Sequence, residues 1–239
     1  MTRRRWIADE VSGNRASLTG EHADHLVRVL RARVGQEFDI AAGGVVCRGR
    51  IVGIEKGRVD FELNEEIAAS GVANVTLLLA IFKFDRMEWA IEKCTELGVT
   101  RIIPVIARRT DAHLASAAAK RAERWQKIGL QASEQSRRTT PPEIAAPLKV
   151  WEAANLRGDL RIVLAESERQ AQLTDVLARH PGEGETILAT GPEGGWTDGE
   201  LQIFQEAGWM PASLGSTILR AETAAIAATA ITMSELARP

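Results

Sequence analysis

A chain of 239 residues with 45% apolar content can bury a substantial core, either as one large domain or as a small one joined to a medium one, and two domains are expected. Its longest apolar runs, such as VTLLLAIF, fall well short of the roughly 18 residues a membrane span needs, and the charged start MTRRRW is not followed by a signal-type apolar stretch, so a soluble, cytoplasmic protein without a membrane role is expected. Net charge is only −2, but its distribution is uneven. Between Ala107 and Arg138 eight basic residues (Arg108, Arg109, Lys120, Arg121, Arg124, Lys127, Arg137, Arg138) face three acids, whereas from Val150 onward thirteen acids outnumber six bases. That asymmetry fits a basic face for a polyanion, or a solvated helix face. Cys47 and Cys94 form no CxxC pair and have no histidine nearby at zinc spacing, so no metal site or disulfide is expected, and both read as buried thiols.

Taken in chain order, LTGEHADHLVRVLR is a helical candidate in which Leu26, Val27, Val29 and Leu30 form an apolar stripe. The runs FDIAA, VVCRGRIVGI and RVDFEL follow, separated by Gly43-Gly44 and Lys56-Gly57, the pattern of hairpins in a small barrel ending near Ser70 and Gly71. Beyond that point strands and helices alternate: strand VTLLLAI, a helix from about Phe84 to Leu97 stopped by Gly98, strand RIIPVI, and a long helix through RAERWQKIGLQASEQS. LRIVLA precedes a helix near Leu173 to Arg179, and TILAT precedes GPEGG and a helix whose start, Thr197 to Glu200, has capping-box spacing. A last strand near Ala212 and Leu214 leads through GSTILR into an alanine-rich helix from Ala221. Such alternation implies a parallel sheet covered by helices on both faces.

In an open α/β sheet, ligands collect beyond the carboxyl ends of strands. Two glycine turns sit there, TGPEGGW (Thr190 to Trp196) and LGSTILRAETAA (Leu214 to Ala225). Neither the P-loop nor the dinucleotide fingerprint occurs, so neither turn is a known phosphate cradle. One glycine turn after a strand is usually structural. Two in consecutive units, one with Glu193 and one with Arg220 and Glu222, shift the balance toward a ligand site.

The strings KFDRMEWAIEKCTELGV, RWQKIGLQASEQSRR with PPEI, ATGPEGG with Glu200, and LGSTILRAETA, in this order, resemble the RsmE-type 16S rRNA uracil-N3 methyltransferases, and the opening HADHLVRVLRARVG is similar to that family's PUA-like RNA-binding domain. The resemblance spans nearly the whole chain. It implies a PUA-like β-barrel at residues 1–70 and, at 72–239, a SPOUT α/β domain whose last strands and helix thread a trefoil knot, with two subunits sharing their sites in a homodimer. It also implies S-adenosylmethionine as cofactor, held mostly by backbone at Ala165 and Glu166, at Thr190, Gly191, Pro192, Glu193, Gly194 and Gly195, and at Leu214, Gly215, Ile218, Leu219, Thr223 and Ala224, with Leu214, Ile218 and Leu219 flanking adenine. The loop after RIIPVIA departs slightly from the family's pattern, which leaves Arg109 a better match than Arg108.

Methylating uracil N3 requires removal of a weakly acidic proton and a nitrogen held in line with the sulfonium methyl, and an arginine can stabilise charge developing on the carbonyl oxygens. Glu222 and Arg220 are the candidates, although Glu222 also suits a first-turn acid favoured by the helix dipole, and Arg220 a phosphate contact or a partner for Glu222. Arg28, Arg31, Arg109, Glu134, Gln135 and Arg138 are candidate contacts to small-subunit rRNA, free or in the assembled 30S particle. Of the six tryptophans only Trp6, beside Arg3 to Arg5, stands where it could stack on a base. Three alternatives stay open: a SPOUT enzyme acting on a ribose or another base, a non-catalytic RNA-binding assembly factor, and a phosphate-binding enzyme.

Overall fold

The structure, a computed structural model, describes residues 5–67, 73–136, 138–168, 170–180 and 184–236. Arg3, Arg4, Arg137 and the expected boundary at Ser70 and Gly71 lie outside the described residues. The chain forms two compact units, Met1–Gly71 with Ser133–Pro141, and Val72–Ala132 with Pro142–Pro239.

In the first unit, β1 (Arg5–Ile7), β2 (Glu10–Ser12), β3 (Arg15–Thr19), β4 (Glu37–Ala42), β5 (Val45–Glu55) and β6 (Arg58–Ile67) pair in the order β1-β4-β5-β6-β3-β2. The three expected hairpin strands are β4, β5 and β6, and Gly43 and Gly44 make their tight turn at positive φ, where a side chain would be strained. The two edge strands, β1 and β2, are consecutive in the chain. Ala8 donates to the Ala41 carbonyl of β4 and Asp9 to the Ser17 carbonyl of β3, so the linking residues join the two edges and the sheet curls into a barrel.

Two expectations fail here. The helical candidate is α1 (Gly20–Asp24) followed by a π-helical turn over His25–Val29, with Leu30 donating to the His25 carbonyl. The wider turn breaks the 3.6-residue stripe: Leu26 is buried, while Val29 is 64% exposed and Leu30 is also exposed. Trp6 is 1% exposed inside the barrel, against the edges of His22 and His25, and is no stacking platform.

In the second unit, β7 (Val75–Ala80), α2 (Phe84–Leu97), β8 (Arg101–Ile106), α3 (Ala112–Gln135), β9 (Glu143–Ile144), β10 (Leu148–Lys149), α4 (Val150–Ala154), β11 (Leu160–Leu164), α5 (Leu173–Arg179), β12 (Thr186–Thr190), α6 (Asp198–Glu206), β13 (Met210–Ala212) and α7 (Ala221–Leu236) follow one another. The strands are all parallel, in the order β10-β8-β7-β12-β11-β13, with β9 also on β8. Both strands of the central pair, β7 and β12, are buried along their whole length, as a sheet covered twice requires. Val75, Leu77 and Leu79 of β7 point into the core beneath α2, α5 and α7, whereas Leu78 and Ala80 point into the second core with Val150 of α4 and Phe204 of α6. Gly98 ends α2 at φ 114, and Thr197 and Glu200 cap α6 reciprocally. The short strands β9 and β10 and the helix α4 were not foreseen.

At the end of β13 the backbone is held from two sides. Ala165 donates to Ala212, Ser213 donates to Ala171, and Leu173 donates to Ser213. The chain at 212–213 therefore passes between the two limbs of the 165–173 loop, the threading a trefoil knot demands.

Both cysteines are free thiols; Cys94 is buried, but Cys47 is only partly so, at variance with the expectation of two buried thiols. Burial pushes Cys94 up to about 12, and burial, then the nearby Glu66 carboxylate, raises Cys47. Because the thiolate is the reactive form, an aromatic disulfide reagent at pH 8 is expected to titrate Cys47 slowly in the native protein and Cys94 only after denaturation. Rapid native reaction of both thiols would contradict this placement.

Candidate functional site

Because β12, β11 and β13 are neighbouring parallel strands, the loops that leave them open on one edge of the sheet. Those loops carry Ala165 and Glu166, Thr190 to Gly195, and Leu214 to Arg220, so the tertiary structure collects the expected cofactor residues along one edge. Ala165, Thr190 and Pro192 are buried, Gly191 and Gly195 half-buried, and Glu166, Glu193, Gly194 and Gly215 exposed. Leu214 and Leu219 are half-buried and Ile218 is 82% exposed, leaving an apolar surface uncovered. Thr223 is exposed and Ala224 half-buried in the first turn of α7.

The glycine corner is braced from outside. A Cβ on Gly191 would stand 3.3 Å from the Trp196 nitrogen, and one on Gly194 would stand 3.1 Å from Cδ of Arg109. Gly195 has φ +68, which favours glycine whatever the space. Arg109 donates to the carbonyls of Gly194 and Trp196, so its guanidinium holds this corner. Glu200 accepts from the Arg108 amide at 2.6 Å and from the Thr197 amide at 2.8 Å, tying the loop after β8 to the start of α6.

Glu222 is 4% exposed. One of its oxygens lies 3.8 Å from Nε of Arg86, and the other is buried with no hydrogen-bond partner among the described residues. Arg86 also donates to Glu193 at 3.1 Å, so one guanidinium joins the glycine corner to the start of α7. Arg220, expected as a possible partner for Glu222, is instead exposed. A buried carboxylate oxygen without a donor is costly, and such atoms gather at functional sites.

Reading the sequence singled out neither Arg86 nor Glu200 as a site residue. One signal was available for Arg86: a cation in the first turn of a helix opposes the macrodipole, which marks it as held there by something other than helix stability.

The remaining candidates are scattered. Arg28 and Arg31 are exposed, and Arg31 has φ 53. Glu134 is buried within the first unit, 3.4 Å from His22, which also approaches Asp9 at 3.3 Å. Gln135 is exposed, and Arg138 is half-buried, with burial pulling its guanidinium down to about 10, so it stays charged at neutral pH. Within the basic stretch, Arg121 and Arg124 are engaged with Glu88 at 3.4 and 2.7 Å, and Arg121 also lies over the Phe84 ring. Part of that stretch is therefore a paired helix face. Among the described residues no group of three or more His, Cys, Asp or Glu is placed to hold a metal, and no helix is long and apolar enough to cross a membrane.

A family model described as an RNA methyltransferase domain matches residues 70–233, and one described as an RNA methyltransferase PUA domain matches residues 18–64. The chain is 35% identical over 87% of its length to ribosomal RNA small subunit methyltransferase E of Synechocystis sp., covering 69% of that protein. It is 31% identical to the Rickettsia conorii protein of the same name, covering 91% of this chain and 88% of that one. The crystal structure of ribosomal RNA small subunit methyltransferase E from Neisseria gonorrhoeae, bound to S-adenosylmethionine, superposes with a TM-score of 0.86 over 98% of both chains at 34% identity. With a family model over most of its length, relatives above 30% identity and a matching fold, the chain belongs to the ribosomal RNA small subunit methyltransferase E family.

Proposed function

We propose that the protein transfers a methyl group from S-adenosylmethionine to N3 of a uridine in small-subunit rRNA, working in the cytoplasm as a homodimer on free rRNA or the 30S particle. Membership of the family supports the methyltransferase activity, the cofactor and the rRNA substrate. The observation that carries the finer reading is Glu222, a buried carboxylate with one oxygen lacking a donor, next to the glycine corner.

The residues present fit the cofactor. Gly191, Gly194 and Gly195 present bare backbone, Leu214, Ile218 and Leu219 offer apolar surface for a flat base, and Glu193 offers a carboxylate. Ala165, Glu166, Thr190, Pro192, Gly215, Thr223 and Ala224 complete the candidate shell. When bound, S-adenosylmethionine supplies an electrophilic methyl on a positively charged sulfur, so no metal is required.

The rest falls to the chain. Glu222 accepts the N3 proton, directly or through water, on the oxygen that lacks a donor. Arg86 holds Glu222 in place and compensates its charge. Arg220, exposed at the loop's end, is free to meet a uracil carbonyl or a phosphate. Arg28, Arg31 and Arg138 are candidate phosphate contacts, while Glu134 and Gln135 shape the segment that carries Arg138, and Arg109 serves first as the brace of the corner. The PUA-like unit is assigned to residues 1–70 and the SPOUT unit to 72–239, save that Ser133–Pro141 packs with the first unit.

Dimerisation is supported by α7, which has no polar face: beyond its buried Ala221, Ala225 and Ala228, the residues Ala224, Ala227 and Ile231 are only half-covered.

Calorimetric titration with S-adenosylmethionine tests the cofactor assignment. Saturable binding is expected in the wild type. It should be lost in Gly195→Trp, because that position combines positive φ with the carboxylate of Glu166 and the guanidinium of Arg109 about 4.0 Å away. A Gly195→Trp variant that still binds would move the cofactor elsewhere.

A further inference from the structure

We propose that the cavity of about 350 Å³ at the carboxyl ends of β7 and β8 is the subsite that receives the target pyrimidine, flipped out of its RNA stack. The proposal rests on the methyltransferase reading and adds a place for the substrate base.

Its lining mixes buried apolar residues with charged ones. Ile81, Phe82, Leu114 and Pro192 line it, all of them buried. Lys83 and Arg108 line it too, beside the exposed carboxylates Asp111 and Glu193; both cations are exposed, and neither side chain forms an ion pair among the described residues, whereas Arg86, Arg109, Arg121 and Arg124 are all engaged. Buried apolar groups beside two uncommitted cations suit one flat base and its adjoining phosphates. The volume stands at the low end for ligand pockets, roughly 300–1,000 Å³, which is room for a nucleoside and too little for a paired duplex. A base acted on at a ring nitrogen engaged in pairing or stacking has to be extruded to be reached.

The position also makes chemical sense. Pro192 and Glu193 form one wall of this cavity, and the same residues belong to the glycine corner assigned to the cofactor, so base and methyl donor would share a wall. Glu193 is pinned there by Arg86 at 3.1 Å. Uracil presents two carbonyl acceptors, which match the donors Lys83 and Arg108, and its N3–H is left for Glu222, the acceptor proposed above. Cytosine, with an amino donor in place of one carbonyl, would set a donor against a cation there and be disfavoured.

The test uses small subunits assembled with 16S rRNA carrying 4-thiouridine in place of uridine, irradiated with the full-length protein, followed by mass spectrometry of the crosslinked peptides. Crosslinks are expected within residues 81–83 or 108–114. Ala112→Trp, an exposed substitution at the cavity's edge, should abolish them and lower methylation by about 100-fold while leaving S-adenosylmethionine affinity within about twofold in calorimetry. Should Ala112→Trp fail to fold, the double variant Lys83→Ala, Arg108→Ala removes only exposed side chains and should raise KM for the subunits about tenfold with unchanged cofactor affinity. Crosslinks confined to other segments, or wild-type methylation by Ala112→Trp, would overturn the subsite alone. Absence of cofactor binding in the wild type would remove the reading beneath it.

Discussion

We expect Glu222→Gln to lower kcat by roughly 10²- to 10⁴-fold, the range spanned by a positioned acid or base, while S-adenosylmethionine still binds within about twofold of wild type. Gln keeps the shape of the side chain and removes its ability to take a proton. The expectation follows from two features: Glu222 is 4% exposed, and one of its oxygens has no donor among the described residues. A purely structural role, as a first-turn acid on α7, would be worth only about 0.3–1 kcal/mol, and Gln would then leave kcat unchanged. Arg86→Ala is the companion variant. Arg86 touches Glu222 at 3.8 Å and Glu193 at 3.1 Å, so its loss should lower kcat and also weaken the glycine corner, raising the cofactor Kd. Arg86→Lys should recover part of the first effect, because it restores the charge without the planar fork that reaches two carboxylates. Single-turnover methylation with saturating cofactor, set beside calorimetry, separates the two contributions. An unchanged single-turnover rate in Glu222→Gln would move the proton acceptor elsewhere.

The second large effect is expected far from the chemistry. Trp125→Ala should destabilise the protein by about 3–5 kcal/mol, the usual cost of deleting a large buried aromatic, with a fall in Tm on the order of 10 °C. Trp125 is fully buried in α3 and meets the Phe84 ring edge-on at 5.9 Å, at the start of α2. That contact fixes the turn of α2 from which Arg86 projects. Trp125→Phe should cost far less, about 1–2 kcal/mol, because it keeps the ring contact and removes an indole N–H that has no acceptor in the structure. Equal losses from both variants in thermal or denaturant unfolding would show that the indole nitrogen, rather than the ring's volume, carries the stability.

Much of the architecture is written locally. The apolar runs at Val75–Ala80, Arg101–Ile106, Leu160–Leu164 and Thr186–Thr190 read directly as strands, because a doubly covered parallel strand needs an unbroken apolar run. Gly98 and the pair Thr197 and Glu200 announce a helix end and a helix start through chemistry confined to a few neighbouring residues. The glycine turns after β12 and β13 were legible for the same reason, since positive φ at Gly195 and Gly215 is a local demand. Where the local signal was weak, it misled. Leu30 and Val29 matched a helical stripe, but a single π-helical turn moved them off the core. Two-residue strands such as β9 and β10 carry too few side chains to show any period at all.

The sequence by itself thus determined the alternation of strands and helices, the places where turns demand glycine, and, through its motifs, the family. Tertiary structure alone decided that Arg86 stands beside Glu222, that residues 212–213 pass between the limbs of the 165–173 loop, that Ser133–Pro141 joins the first unit, and that Trp6 is enclosed in the barrel. The physical reason is range. Periodicity, capping and turn chemistry act between residues a few positions apart, whereas these features are fixed by the strand order β10-β8-β7-β12-β11-β13 and by the closure of the barrel, which bring distant segments together only when the whole core packs.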